Sequence, residues 1–358
     1  MSSAASSTDV RIVITADPYI PVPPRHYGGI ERVIDLLVCE LVARGHQIVL
    51  IAHSESQTPA AELVPYGKPP HWGAVPRATE LLQVGTALWR RRHATDVVHS
   101  FGRLASLLPI LPLRQLPKIQ SYQRDIPWTS VELAVSLAGP SIAFTGCASC
   151  VYSLKPADGV GRWVTIPNGV DVSKFHSTSW VPEDAPLIFL GRIEPIKGAH
   201  NAIAIARGAK RRLIIAGNKI ESGPHARYFD EQIAPHIDGT LVSYVGEVDD
   251  AQKSTLLSSA AALLMPIEWE EPFGIVMAEA LACGTPIIAF KRGSVPDIVR
   301  DGVNGFACRT VDEAVRAVGR LDTISRAGVR DDCERRFAAP VIVDQYERLY
   351  EEMIRTVA

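Results

Sequence analysis

AALLMPIEWEEPFGIVMAEALACGTPIIAF, residues 261–290, reads in order as a strand, a loop, a helix and a second strand. AALLMP (261–266) and PIIAF (286–290) are short apolar runs, and a helical pattern reaching about Cys283 lies between them. Strands that alternate with helices specify a parallel sheet with crossover connections. Apolar runs that are continuous, not alternating, suit strands covered on both faces.

The same unit recurs outward from this stretch. Upstream in the second half stand PLIFLG (186–191), RLIIAG (212–217) and LVSYVG (241–246). The first half carries RIVITA (11–16), HQIVLIA (46–52), DVVHSF (96–101), KIQSY (118–122), IAFTG (142–146) and WVTIP (163–167). Five or six strands per half exceed what one compact sheet needs, and 358 residues exceed the length at which one core usually keeps growing. The intervening NGVDVSKFHSTSWVPEDAP (168–186) has the polar, Pro- and Gly-bearing composition of a linker. The expected fold is therefore α/β, with two Rossmann-like doubly wound parallel-sheet domains, 1–172 and 173–338, facing across a cleft. A final helix over 339–358 carries an apolar stripe at Val341, Val343, Tyr346, Leu349, Tyr350 and Met353. The pattern alone leaves open which domain it covers, and a return to the first is one choice.

Composition narrows the function. Hydrophobic residues make up 47% and charged residues 21%, with 37 basic against 39 acidic side chains and a net charge of −2, so no basic field advertises nucleic acid. No apolar run approaches the roughly 20 residues of a spanning helix. The first ten residues, MSSAASSTDV, lack the basic start and apolar core of a secretory signal. Six cysteines in this length make no disulfide framework, and the lone CASC of Cys147 and Cys150 has no second pair or nearby His, so packed thiols are expected. Together these features point to a cytoplasmic protein.

In open α/β sheets, ligands bind beyond the C-terminal ends of the strands, where helices start and their amides attract phosphate. Three strand ends carry candidate chemistry. PVPPRHYGGIERVIDLLVCELVARGH (21–46) passes through prolines to Gly28 and Gly29 and then a helix with Ile30, Val33, Leu37 and Leu41 as its buried stripe. A glycine pair there allows close backbone approach, although neither GxGxxG nor GxxxxGK[ST] is present. PLIFLGRIEPIKGAHNAIAIA (186–206) places Arg192 after Gly191 and Lys197 where the next helix begins. Arg forks onto phosphate oxygens and Lys supplies a compact charge; a solvated surface pair is the plainer reading.

The third end decides the chemistry. After Pro266 come Glu268, Trp269, Glu270 and Glu271, then Phe273, Gly274 and Ile275, whose amides open a helix. Glu279 follows Glu271 by eight residues, so the two carboxylates stand roughly 9–12 Å apart along the axis. That spacing is wide for a retaining hydrolase pair and at or above the inverting range of about 6.5–9.5 Å. Carboxylates prefer hydroxyl groups to phosphate, so hydroxyls at the two ends of an elongated ligand, with diphosphate at the amides between, satisfy the arrangement. Attraction to the helix dipole explains Glu270 and Glu271 but not mid-helix Glu279.

GRIEPIKG, YVGEV (244–248), EPFGIVMAEALACGTPIIAF, GSVPDIV and DGVNGF closely resemble retaining glycosyltransferases of family 4, which have the GT-B fold. The resemblance covers the C-terminal half and extends more weakly to YGGIERV, DVVHSF and IPNGVD. It implies that Arg192 and Lys197 hold a donor diphosphate, that Glu279 binds ribose hydroxyls, and that Glu271 contacts the transferred sugar beside the Phe273, Gly274 and Ile275 amides. Gly28, Gly29, Gly191 and Gly246 fall at backbone approaches to the donor. The implied donor is a nucleotide-diphosphate sugar, most commonly UDP-linked, with no metal or cofactor. Family members often carry HxH where this chain has His99-Ser100-Phe101. His99 itself, or Gln123 or Arg124 in SYQRD (121–125), then takes the place of the second His, and a strand-end structural role for His99 is the competing reading.

Two further features have plain alternatives. Arg90, Arg91 and Arg92 end an amphipathic helix, where they complement its dipole or meet an anionic membrane surface or acceptor. Arg25, His26 and Tyr27 precede the glycines as acceptor contacts or as ordinary loop. The expected reaction is sugar transfer with retention to an unidentified acceptor; a sugar-nucleotide epimerase and a non-catalytic sugar-nucleotide-binding protein are the alternatives.

Overall fold

The computed structural model describes residues 9–25, 28–60, 62–67, 77–124, 126–153, 160–223 and 225–358. His26, Tyr27 and Asp125 lie outside the described residues. The chain divides into two compact units, one taking residues up to Asn168 together with Ala339–Ala358, the other Gly169–Ala338.

In the first unit the order is β1 (Arg11–Thr15), α1 (Gly29–Ala43), β2 (Gln47–Ala52), β3 (Glu62–Pro65), α2 (Arg77–Arg91), β4 (Val97–Ser100), β5 (Lys118–Tyr122), α3 (Trp128–Ala138), β6 (Ile142–Gly146) and β7 (Arg162–Thr165). These strands form one parallel sheet in the order β3-β2-β1-β4-β5-β6-β7. The second unit runs β8 (Leu187–Leu190), α4 (Ala199–Gly208), β9 (Leu213–Ala216), β10 (Val242–Gly246), α5 (Asp250–Ser259), β11 (Ala262–Met265), α6 (Ile275–Ala282), β12 (Ile287–Phe290), α7 (Val295–Ile298), β13 (Gly305–Cys308), α8 (Val311–Val318) and α9 (Arg326–Phe337). Its parallel sheet has the order β10-β9-β8-β11-β12-β13. Both orders reverse direction beside the strand that starts the unit, which is the doubly wound topology.

Two strands escape the sequence pattern. β3 has only two apolar residues of real bulk, Leu63 and Val64, and β13 (GFAC) has no β-branched residue; both sit at sheet edges. The segment read as a linker is packed. Arg330 Nη2 donates to Val172 O (3.1 Å) and its Nη1 to Phe175 O (3.3 Å), while Arg326 Nε donates to Thr178 O (2.9 Å). Its backbone carbonyls are met by arginine side chains, so a segment with only one short turn, Val172–Lys174, is not loose.

α10 (Ala339–Val357) returns to the first unit and packs against α1 and β4. Its buried face is Ile342, Val343, Tyr346, Leu349, Tyr350 and Met353, with Val341 only half-buried. The seam closes on charge as well as apolar area. Arg44 Nη1 meets Asp344 Oδ1 at 2.7 Å, Arg44 Nη2 donates to Pro340 O at 3.0 Å, and His46 Nε2 lies 2.9 Å from Glu347 Oε1.

Candidate donor site and the strand ends of each unit

In the second unit Arg192 and Lys197 stand past the end of β8 and Glu271 past the end of β11, with Lys197 and Glu271 in contact. β8 ends before Gly191, whose N donates to Ala216 O at 3.1 Å. The chain then turns through Pro195–Lys197 into α4, capped by Gly198 in the left-handed conformation (φ 75°, ψ 32°). A Cβ at Gly198 would stand 1.9 Å from Pro266 O, so only glycine lets α4 start this close to the β11 loop. The two loops are then stitched by Glu268 N donating to Ile196 O at 2.8 Å, and Glu268 Oε1 accepts from Asn201 Nδ2 at 2.9 Å.

Lys197 Nζ forms an ion pair with Glu271 Oε2 and lies 4.7 Å from the centre of the Trp269 ring. The Trp269 indole N–H donates to that same carboxylate oxygen at 2.9 Å. Glu271 is held from behind as well. Ser294 N donates to Glu271 O at 2.9 Å and Ser294 Oγ to Phe273 O at 2.8 Å. Gly293 (φ 53°) sits against the Glu271 backbone so closely that a Cβ would reach its N at 2.4 Å. GSVPD therefore fastens the carboxylate loop, a role that its sequence, quoted only for resemblance, does not disclose.

Arg192 is about one-third exposed and pairs with Glu194 Oε1 at 2.7 Å. Glu194 is buried and was not singled out from sequence. Phe273 is buried, and Gly274 (φ 72°, ψ 74°) starts α6 without a side-chain cap, so the amides at 273–275 open the helix at the end of this loop. Mid-helix Glu279, 6% exposed, is not left alone in the apolar interior: Lys253 Nζ of α5 forms an ion pair with its Oε1, and Asp250 Oδ1 lies 3.2 Å from the same ammonium. Lys253 carries no sequence signal, being one more lysine in a helix. Gly246 (φ 80°) ends β10, and its carbonyl accepts from Gly217 N at 2.7 Å.

The pairings refine the roles read from sequence. The cation and the carboxylate expected to touch different parts of a ligand, Lys197 and Glu271, hold each other in this structure. A lysine ammonium has three donors, so one carboxylate contact does not exhaust it. Among the described residues no group of three or more His, Cys, Asp or Glu side chains is placed to hold a metal ion.

In the first unit His99 has no exposed surface. It is fully buried; Nδ1 lies 2.7 Å from Tyr350 Oη and Nε2 2.7 Å from Ser121 Oγ. Phe101 packs on its ring at 4.4 Å between centroids. With both nitrogens taken and no exposed atom, His99 joins α10 to the sheet, which corrects its reading as a catalytic candidate. Gln123 and Arg124, the other candidates, line a cavity together with Phe101 and Asp17. Gln123 exchanges two amide hydrogen bonds with Asn168 (2.9 and 2.8 Å), and Arg124 Nη2 meets Asp17 Oδ2 at 3.0 Å.

Gly28 caps α1, with a would-be Cβ 2.6 Å from Pro24 Cβ, and Gly29 is the first helical residue. The helix also carries buried Glu31, missed in sequence, whose pKa burial raises while Arg124 opposes the rise. Ile30, placed on the buried stripe by pattern, instead lines the cavity. Arg25 pairs with Glu55 at 3.0 Å. Of the terminal arginines of α2, Arg91 pairs with Glu62, Arg92 lies 4.2 Å over the Trp89 ring and donates to Trp89 O, and Arg90 is exposed.

Burial lowers the His99 pKa to about 3 from an unfolded value near 6.5. The unfolded chain thus binds more protons between these values, and the His99 contribution to stability, full above pH 6.5, is lost as pH falls toward 3. The loss is of the order of 4 kcal/mol. Denaturant titrations across pH 7 to 4 are expected to show a shallower acid slope for His99→Gln than for wild type. Equal slopes would remove the assignment.

A family model described as Glycosyl transferases group 1 matches residues 173–328, and one described as Glycosyltransferase Family 4 matches residues 27–137. Over 364 residues the chain is 31% identical to the phosphatidyl-myo-inositol mannosyltransferase of Mycobacterium leprae, covering 90% of this chain and 93% of that protein. Among solved structures it is similar to AviGT4, a glycosyltransferase involved in avilamycin A biosynthesis, with 25% identity, a TM-score of 0.70 and coverage of 97% and 98%. The Anabaena HepE protein in complex with UDP-glucose shares the fold at 16% identity, with a TM-score of 0.71 and coverage of 96% and 100%. The two doubly wound parallel sheets, taken with these matches, are those of a glycosyltransferase of the GT-B fold. The chain belongs to glycosyltransferase family 4.

Proposed function

We propose that this enzyme transfers a sugar from a nucleotide-diphosphate donor, UDP-linked, to a hydroxyl acceptor with retention of configuration and without a metal. The observation that carries the reading is the Lys197–Glu271 pair, fixed between the β8 and β11 loops at the start of α6. Departure of the nucleoside diphosphate builds negative charge on its oxygens. Arg192, Lys197 and the 273–275 amides are the groups that meet this charge, and they stabilise the transition state more than the ground state. Glu271 turns from its cation to the hydroxyls of the transferred sugar, and Glu279, paired with Lys253, accepts from the ribose hydroxyls. The leaving phosphate takes the acceptor's proton, so no protein base is needed. The HepE complex supports UDP as the base-bearing half of the donor.

The test is a thermal-shift comparison of UDP-, GDP- and ADP-sugars. Ligand at 100 times its dissociation constant adds about 2.7 kcal/mol, and the UDP-sugars are expected to shift the transition upward. A protein that none of the three stabilises is not a nucleotide-sugar transferase. As a subsidiary proposal, Arg90–Arg92 meet an anionic membrane surface. Leu82 and Trp89, 70% and 43% exposed and two turns apart on one face of α2, support it. Liposome flotation without dependence on acidic lipid overturns it. No helix among the described residues is long and apolar enough to cross a membrane.

A further inference from the structure

The cavity of the first unit is built for an apolar occupant. Its volume is about 370 Å³, toward the lower end of the roughly 300–1,000 Å³ of small-molecule sites. Leu104, Leu108, Leu111, Leu133 and Ala134 line it from the turn Leu104–Ile110 and from α3. Leu108 and Leu133 are 45% and 53% exposed at these walls, apolar surface left in water that an occupant would cover. Charged and polar side chains line it too, at Asp17, Arg103, Ser121, Gln123, Arg124 and Ser130. Tyr122, 93% buried, lines the same cavity, and its hydroxyl has no hydrogen-bond partner among the described residues.

The walls are fixed, not collapsed by chance. Lys118, fully buried in β5, donates from Nζ to Ile110 O (3.2 Å), Leu111 O (3.4 Å) and Leu113 O (2.7 Å), and so pins the end of the leucine-bearing turn. On its other side the turn enters α2 at Gly85, where a Cβ would meet Pro109 Cγ at 2.7 Å. A preformed apolar hollow with a few polar groups is the common design of a specific small-molecule pocket.

We infer that this cavity holds an uncharged apolar body of the acceptor, with polar groups of the acceptor at Asp17, Gln123 and Arg124, so that the acceptor is amphipathic and not a bare sugar or a polysaccharide end. The inference rests on the acceptor half of the proposed function. Two sources share this chemistry, a ring system and an alkyl chain. The experiment is calorimetric titration of the full chain with methyl, octyl and 2-naphthyl β-D-glucoside, as probes of the cavity. Octyl or naphthyl glucoside is expected to bind at least tenfold more tightly than the methyl compound, and the preferred one identifies chain or ring. Ala105→Trp and Ser130→Trp fill the cavity from half-buried and exposed lining positions. Each is expected to abolish the tenfold preference while leaving the nucleotide-sugar thermal shift unchanged. Equal binding of all three glucosides by wild type, or a preference that survives both fillings, overturns the inference. Loss of the nucleotide-sugar shift in wild type would instead overturn the donor reading, and the two failures are read separately.

Discussion

Lys197→Ala is expected to lower kcat by about 10²–10³-fold, the usual effect of removing one fixed donor to developing charge. Lys197 ends the turn between β8 and α4, is held against the Trp269 ring at 4.7 Å and faces the Glu271 carboxylate. Its charge is thus oriented before any ligand arrives. Removal also leaves a carboxylate only 8% exposed with its cation gone, which costs about 3–5 kcal/mol when a buried pair is broken from one side. Stability and catalysis must therefore be separated. Lys197→Met combined with Glu271→Gln removes both charges and is expected to recover most of the stability while kcat stays low. Arg192→Ala is expected to lose kcat as well, and because it leaves buried Glu194 without its cation, Arg192→Met combined with Glu194→Gln is the matching variant that separates stability from catalysis. Steady-state kinetics on the folded fraction decides the matter, and near-normal turnover in both Lys197→Ala and Arg192→Ala would sink the donor assignment.

Gly198→Ala is expected to be the most damaging small substitution in the second unit. The left-handed backbone costs a non-glycine residue about 1–2 kcal/mol, and overpacking adds about 1–3 kcal/mol. The added Cβ, 1.9 Å from Pro266 O, forces apart the loops that carry Lys197 and Glu271. A total of about 2–5 kcal/mol corresponds to a fall in Tm of roughly 4–20 °C. Gly302→Ala is the control. It has the same sign of φ, at 73°, but nothing within 4 Å of its Cβ, so it should show only the backbone part. Calorimetry of the two variants measures the difference. A Gly198→Ala protein no less stable than the Gly302→Ala one would mean that the close approach of the loops is not a constraint.

Legibility in the sequence followed physical range. The β11 loop and α6 were readable because a continuous apolar strand, a Pro–Phe–Gly turn and a helical period are local signals. β13 was not, since GFAC has a single bulky residue and no β-branched one; it is recognised only by the parallel register that its backbone shares with β12. Glu279 stood out in sequence as a carboxylate among apolar neighbours. Lys253, which compensates it, did not, because a lysine in a helix reads as surface until the fold buries it. For His99 the sequence left a catalytic and a structural reading side by side. Its position at a strand end is where catalytic histidines occur, and what disarms it is Tyr350, 251 residues away.

The sequence by itself determined two series of parallel strands, the helix starts at which ligands bind, and the charged residues standing there, because strand and helix periods and turn chemistry depend on near neighbours in the chain. Only the tertiary structure decided which charges meet, Lys197 with Glu271 across 74 positions and Lys253 with Glu279 across 26. It also decided that the last helix belongs to the first unit, and that Phe101, Tyr122 and Leu133 surround one cavity. Those meetings are set by crossover connections that bring distant strand ends side by side, and no local pattern records them.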